Sequence, residues 1–221
     1  MITLYSFWRS LAATRVRIAL NIKGIAHTEV SIDLIKGEQF ADSYKKVNPQ
    51  SVVPSLDLGD GTPVLFQSLA ILEYLDETHP QPPLLPSLAS PGGARARARV
   101  RGLALIHAAD THPLVVPRIR KMLEQEYKLD EATRNVWLRG WIDAGSRALE
   151  AHLSSGQGTG RYCHGDTLTM ADVCVASHWI GAEMFGADRT SFPTMARVMN
   201  ECFELDAFTR AHPKRQPGAP A

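Results

Sequence analysis

The stretches of this chain that alternate apolar and polar residues all lie before residue 67, and beyond residue 93 no strand pattern returns. A chain divided in this way folds as a small mixed α/β part followed by a helical part. In the first part "ITLYSF" (residues 2–7) predicts a short buried strand. A helical pattern runs from about Ala12 to Lys23, and Gly24 is placed to stop it. "HTEVSIDL" alternates again. "KGEQFADSYKKVNP" predicts a short helix ending before Pro49, and "VVPSLDLGDGTPVLF" predicts two short strands joined by a turn at Asp60-Gly61. "SLAILEYLDETHP" is amphipathic, with Leu69, Leu72 and Leu75 on one face and Ile71 nearby.

The order β-α-β-α-β-β-α, with helices against a small mixed sheet, is that of a thioredoxin-like fold. Composition then shifts: "PQPPLLPSLASPGG", residues 80–93, is rich in Pro, Ser and Gly. The expected organisation is an α/β domain over 1–81, a linker over 82–93, an all-α domain over 94–212 and a loose tail over 213–221. Long helices are expected from 94 to about 127 and from 131 to 153, with further helices at 170–185 and 194–204 around the loop "SSGQGTGRYCHGD". His112-Pro113 with Pro117 should kink the first long helix. In "LTMADV", Thr169 reads as an N-cap with Asp172 at the third helical position, a capping box that organises the helical domain.

Composition narrows the function classes. The 221 residues carry a net charge of +1, so the overall balance gives no reason to expect a nucleic acid or membrane partner. Arg95, Arg97, Arg99 and Arg101 fall on two helix faces and read as solvated or dimer-edge arginines. No apolar run reaches the length of a membrane span, and the N-terminal residues have no secretory pattern. The three scattered cysteines, Cys163, Cys174 and Cys202, suit a reducing compartment. The eight histidines show no metal-ligand spacing. The expectation is a cytoplasmic protein without metal.

Three polar positions stand where a ligand can be held. Ser10 sits where a strand hands over to a helix, followed by the inert Leu11 and Ala12. A serine there is an ordinary N-cap, but at a helix N-terminus its hydroxyl can also donate to an anion such as a thiolate. No cysteine of this chain lies nearby in sequence, so a ligand would have to bring the sulfur. Pro54 between two short strands implies either an edge position or a cis Val53-Pro54 bond that leaves the Val53 backbone open to an extended peptide. Ser68, preceded by Gln67, is a second helix start, able to cap or to bind a carboxylate. Together the three would suit a small peptide with a thiol in its middle and a carboxylate at one end.

Those residues carry a resemblance. "LYSFWRS", "RVRIAL", "NPQSVVPSLD", "QSLAILEYLDETHPQPPLLP", "GDTLTMADVCV" and "AHPKRQP" are similar to the cytosolic glutathione transferases. The likeness is greatest to their zeta class, which includes maleylacetoacetate and maleylpyruvate isomerases. The resemblance implies a thioredoxin-like glutathione-binding domain, an all-helical second-substrate domain, glutathione as cofactor, a small electrophilic substrate and a homodimer. It places Ser10 opposite the glutathione sulfur as the first serine of a Ser-Ser-Cys-x-Trp-Arg-Val-Arg motif. Gln39 and Val53 would contact glutathione, Gln67 and Ser68 would hold its γ-glutamyl end, and Arg9 would lie beside the second-substrate pocket. His112 falls where some isomerase relatives also have His-Pro; the bend at Pro113 and Pro117 either lies over the core or turns His112 and Arg118 toward the cleft. This chain departs from the motif at Leu11, Ala12 and Thr14, and replaces an asparagine and an arginine of the isomerases with Val116 and Met184. Those changes predict an apolar second-substrate pocket. The leading expectation is a glutathione-dependent transferase or cis–trans isomerase in which Ser10 stabilises the glutathione thiolate for attack on an electrophilic carbon. The same changes motivate a second reading, a protein that binds glutathione or apolar ligands and catalyses little. A thiol–disulfide oxidoreductase on the same fold is disfavoured, because no cysteine neighbours Ser10.

Overall fold

The computed structural model describes residues 1–220. Contacts divide the chain into two compact units, Met1–Leu84 together with the segment from Asp206 onward, and Leu85–Leu205.

The first unit is built on a four-stranded sheet of order β2-β1-β3-β4, with β1 (Thr3–Ser6), β2 (Thr28–Ser31), β3 (Ser55–Asp57) and β4 (Leu65–Phe66). β1 and β2 are parallel, which requires a crossover, and α1 (Leu11–Ile22) supplies it. β3 returns antiparallel to β1 and carries β4 on its other edge. Leu4 and Leu56 are ladder partners, and both are fully buried with Val16, Leu20, Ile71, Leu72 and Leu75. α2 (Asp42–Val47) follows a single 3₁₀ turn over Glu38–Phe40, which starts from Gly37 at φ +82°, a left-handed conformation that glycine adopts without penalty. α3 (Ser68–Thr78) packs on α1. Its buried face is Ser68, Ile71, Leu72 and Leu75, the i, i+3, i+4, i+7 set, and Leu69 is only half-buried at its edge. Lys23 joins the two helix ends, donating from Nζ to Asp76 and to the His79 and Pro82 carbonyls.

The second unit is helical. It holds α4 (Gly93–Leu105), α5 (Pro117–Gln125), α6 (Glu131–Ser154), α7 (Met170–Met184) and α8 (Pro193–Phe203). α7 is buried without interruption from Met170 to Ala182, as the central helix of a bundle must be. Its start is the expected capping box: the Asp172 carboxylate accepts from the Thr169 N–H at 2.8 Å and the Thr169 hydroxyl at 3.0 Å. It also accepts the Cys163 N–H at 2.7 Å, tying the preceding loop to the helix. The expected helix over 94–127 is broken. After Leu105 the chain widens into a π-helical turn, Ile106–Thr111, then tightens into a 3₁₀ turn at His112–Leu114 before Pro117 begins α5. Pro113 and Pro117 have no N–H to continue an α-helical ladder. Arg97 and Arg99 are not simply solvated. Arg97 donates to the Pro86 carbonyl, and Arg99 ties down the Cys163 carbonyl, His164 and Thr159.

The C-terminal segment differs from the expected boundaries. α9 (Asp206–Ala211) belongs with the first unit rather than with the helical one, and packs on α1 with Phe208 and Ala211 buried. Asn21 Nδ2 donates to the Ala207 carbonyl at 3.0 Å. The expected loose tail begins with a buried Pro213 in a 3₁₀ turn, and Gln216 Nε2 donates back to the Arg210 and His212 carbonyls. A six-residue helix with two apolar anchors is too short to show a period in sequence.

Candidate active site

The turn between β1 and α1 is hydrogen-bonded on itself. The Ser10 N–H donates to the Phe7 carbonyl at 2.9 Å, and the Thr14 N–H and hydroxyl both donate to the Ser10 carbonyl. Ser10 has extended backbone, and its Oγ accepts the Ala13 N–H at 3.2 Å, so it is the N-cap of α1. Accepting that bond leaves the hydroxyl hydrogen to be donated, next to the positive end of a twelve-residue helix. Leu11 and Ala12 are 5% and 8% exposed, so the inert residues after Ser10 are core positions of α1. Before Ser10, the Arg9 guanidinium lies 5.6 Å from the centre of the Trp8 ring, within cation–π range.

Val53 and Gln39 are brought to the same neighbourhood by packing. Phe7, Ile32, Tyr44 and Val53 form one buried cluster, with Trp8, Leu34 and Tyr5 against it. The Val53-Pro54 bond is cis. The Tyr44 hydroxyl and Asn48 Nδ2 both donate to the Val52 carbonyl, at 2.7 and 2.9 Å, while the β-ladder starts only at Ser55. Val53 thus sits between a braced residue and the first paired one. Gln39 is 8% exposed. Its Nε2 reaches the Leu34 carbonyl at 3.4 Å, but its buried Oε1 has no hydrogen-bond partner within the described residues. A buried carbonyl oxygen without a donor costs on the order of 1–3 kcal/mol unless something supplies one.

The pairing of Ser55 with Phe66 brings Val53-Pro54 alongside Gln67 and Ser68. Here the expected helix start shifts by one residue. Gln67 is the N-cap, held at φ 65°, ψ 114°, and Ser68 is the first helical residue. A non-glycine residue at such a φ is a strained conformation, of order 1–3 kcal/mol, that clusters at ligand sites. Gln67 Nε2 donates to Gln50 Oε1 at 2.9 Å. The buried Ser68 Oγ accepts from Arg15 Nε at 3.0 Å, which leaves its hydroxyl hydrogen to donate.

The remaining expected residues lie in the helical unit. His112 follows the π-helical turn, with its ring 5.4 Å from that of His107. Val116 is the N-cap of α5, half-buried, and Arg118 is exposed on the first turn of that helix. Met184 ends α7 and is half-buried. One cluster, with Val115, Leu138, Ile142 and Ala182 at its centre and Phe185 against it, joins the start of α5 to the end of α7. Val116 and Met184 are the chain neighbours of Val115 and Phe185 in that cluster.

Sequence reasoning passed over the groups that support these positions. Arg15 and Arg17, each 2% exposed, are charged residues in a helix buried at every position from Leu11 to Leu20, a pattern that itself signals internal partners. In the helical unit, His178 is buried with Nε2 2.7 Å from Ser146 Oγ and Nδ1 3.1 Å from His107 Nδ1. Burial lowers its pKa to about 4, so it is a neutral, structural imidazole.

The family model for the N-terminal domain of glutathione S-transferases matches residues 4–83. A maleylpyruvate isomerase from a Ralstonia species is 44% identical over 214 residues, 97% of this chain and 98% of that one. Among solved structures, a maleylacetoacetate isomerase from Methylobacterium extorquens AM1, with bound malonate and GSH, superposes with a TM-score of 0.94 at 50% identity. That match covers 99% of this chain and all of the other. A holo maleylpyruvate isomerase, described as a bacterial zeta-class glutathione S-transferase, gives 0.93 at 43% identity over 99% of this chain and all of the other.

Proposed function

The chain belongs to the glutathione S-transferase family, in its zeta class, and from that premise we propose that it is a glutathione-dependent cis–trans isomerase of a maleyl-type substrate. One observation carries the chemistry. The helix start that can hold an anion is occupied by a serine, while Cys163, Cys174 and Cys202 are all buried in the other unit. The sulfur nucleophile must therefore arrive with the ligand.

The residues of the first unit fit glutathione. The unpartnered Gln39 Oε1 can accept an N–H of the tripeptide, and the Val53 backbone can pair with its extended chain. Gln67, Ser68 and the first amides of α3 form an N-terminal site for a carboxylate, as the γ-glutamyl end requires. Ser10 donates its hydroxyl hydrogen to the sulfur and favours the thiolate. When bound, glutathione supplies a thiolate that can add to a conjugated double bond and leave again, which permits rotation about that bond. Arg9 orients a substrate carboxylate by charge-assisted hydrogen bonds. The Methylobacterium relative was solved with bound malonate, a dicarboxylate, and GSH, which supports the same substrate class here. In the helical unit we assign His112 and Arg118 as polar contacts for the substrate and Val116 and Met184 as apolar ones.

We place the enzyme in the cytoplasm as a homodimer. None of the described helices is long and apolar enough to cross a membrane, and the cysteines are unpaired. The edge strand β4 leaves the Phe66 side chain 59% exposed, a feature suited to burial against a second copy.

The test is to assay maleylpyruvate and maleylacetoacetate with and without glutathione, beside a generic aromatic electrophile and calorimetry with glutathione. Glutathione-dependent isomerisation faster than conjugation supports the reading. Tight glutathione binding with no turnover of any substrate would replace it with the binding-protein reading, which Val116 and Met184 motivate.

A further inference from the structure

The guanidinium of Arg17 faces two directions inside the first unit. On one edge, Nε donates to both Glu29 oxygens at 3.0 Å. On the other, Nη2 donates to Ser6 Oγ and, at 3.2 Å, to the Phe7 carbonyl, and Nη1 approaches the Trp8 carbonyl at 3.4 Å. These are the last two carbonyls before Arg9 and Ser10, and the Phe7 carbonyl also accepts the Ser10 N–H. The clamp therefore holds the same oxygen that closes the Ser10 turn. The planar fork carries its donors on separate edges, so it reaches a carboxylate on one side and two carbonyls on the other, whereas a lysine at this position would gather its donors at one atom and could not span both sides in this geometry.

The surroundings keep the fork charged. Burial pulls the Arg17 pKa down, and Glu29 opposes it. Burial also raises the Glu29 carboxyl, but His27 and Arg17 together hold it below its ordinary value. His27 Nε2 stands 3.9 Å from Glu29. Over the pair lies the C-terminal segment: Pro217 shares a small cavity with Ser6, Trp8, Arg17, Glu29 and Ser31, and Gly218 lies against Trp8 and Ser31.

We propose that Arg17 is a positioning residue for the glutathione thiol, fixing through the Phe7 and Trp8 carbonyls the turn from which Ser10 presents its hydroxyl. The proposal rests on the reading of Ser10 as the thiolate donor. Arg17 is 2% exposed and its guanidinium is turned to internal acceptors, so its influence should travel through Ser10.

The experiment compares the unsubstituted protein with Ser10→Ala, Arg17→Lys and the double variant. The thiolate absorbance of bound glutathione is titrated in each, and amide hydrogen exchange at Ser10 and Ala13 is followed without ligand. Arg17→Lys should lower the thiolate fraction below the midpoint by about tenfold, one pKa unit. It should speed exchange of both amides by a similar factor, and add little to Ser10→Ala in the double variant. Additive effects of the two substitutions, or an unchanged titration in Arg17→Lys while Ser10→Ala shifts it, would overturn the proposal and leave Ser10 in place. An unchanged titration in Ser10→Ala would instead overturn the reading of Ser10 and the proposal with it. Should Arg17→Lys not fold, Glu29→Gln decides. It keeps the shape and removes the charge that aims the fork, so it must shift the titration in the same direction for the proposal to survive.

Discussion

Replacing Ser10 by alanine removes one oxygen with two roles, and the two losses can be measured apart. As a cap, Ser10 Oγ accepts the Ala13 N–H at 3.2 Å. Losing a serine cap costs on the order of 1 kcal/mol of stability. For a chain of this size that lowers the melting temperature by about 2–4 °C, well short of unfolding at assay temperature. As a donor, the hydroxyl contributes a charge-assisted hydrogen bond to the thiolate, worth about 1.5–3 kcal/mol. At about 1.4 kcal/mol per unit, its loss raises the pKa of the bound thiol by roughly 1–2 units. The sign is fixed, because a donor to the charged form lowers the pKa and removing it lets the pKa rise. The assay is the pH profile of kcat/KM with a generic electrophile at saturating glutathione. Well below the bound pKa the variant should lose roughly 10–100-fold, and above it the plateau should be nearly retained. Ser10→Thr, which keeps the hydroxyl, should recover most of the loss. A uniform drop at every pH, with the limb unmoved, would mean that Ser10 only shapes or binds, and the thiolate role would be refuted.

Two further outcomes follow from the helical unit. The buried His178, with its pKa lowered to about 4 by desolvation, binds fewer protons folded than unfolded. Its contribution is therefore complete above pH 6.5 and lost as pH falls toward about 4, by on the order of 3 kcal/mol, and urea unfolding of His178→Asn should show a flatter slope across that window than the unsubstituted protein. An equal slope would remove His178 from the account. Met184→Arg with Val116→Asn adds two carboxylate partners, so kcat/KM for maleylpyruvate should rise relative to an apolar electrophile by about tenfold or more. A protein that already turns over maleylpyruvate efficiently and gains nothing would refute the apolar reading of Val116 and Met184.

The sheet and its helices were legible because each element carries its own signal. Alternation marked β1 and β2, Gly24 stopped α1, and "LTMADV" spelled a capping box that the Asp172 hydrogen bonds realise. Ser10 was legible as a helix start for the same reason. Features set by tertiary contact were not legible. α9 is recognised by what Phe208 and Ala211 pack against, and a six-residue stretch has no period to read. Gln67 rather than Ser68 caps α3, because the backbone at Gln67 is forced to positive φ between β4 and the helix, a choice local propensity argues against. The π-helical turn before His112 depends on α6 lying close to it. Gly145 of that helix faces Thr111 so closely that any Cβ would overlap the threonine hydroxyl, a fit between residues 34 apart in sequence. Buried charge was legible only as a question: Arg15 and Arg17 could be seen to lie in an apolar helix, but Ser68, Glu29 and the Phe7 and Trp8 carbonyls were named by the fold.

The most direct test of the account is the stoichiometry of glutathione. With maleylpyruvate and maleylacetoacetate in large excess over glutathione, the products and the free thiol are quantified together through the reaction. An isomerase returns its thiolate at every cycle, so each glutathione should support many turnovers, the trans product should accumulate and free thiol should be undiminished. If product formation stops when one equivalent of glutathione has been consumed and a thioether conjugate appears in its place, the protein is a transferase and the isomerase assignment is contradicted.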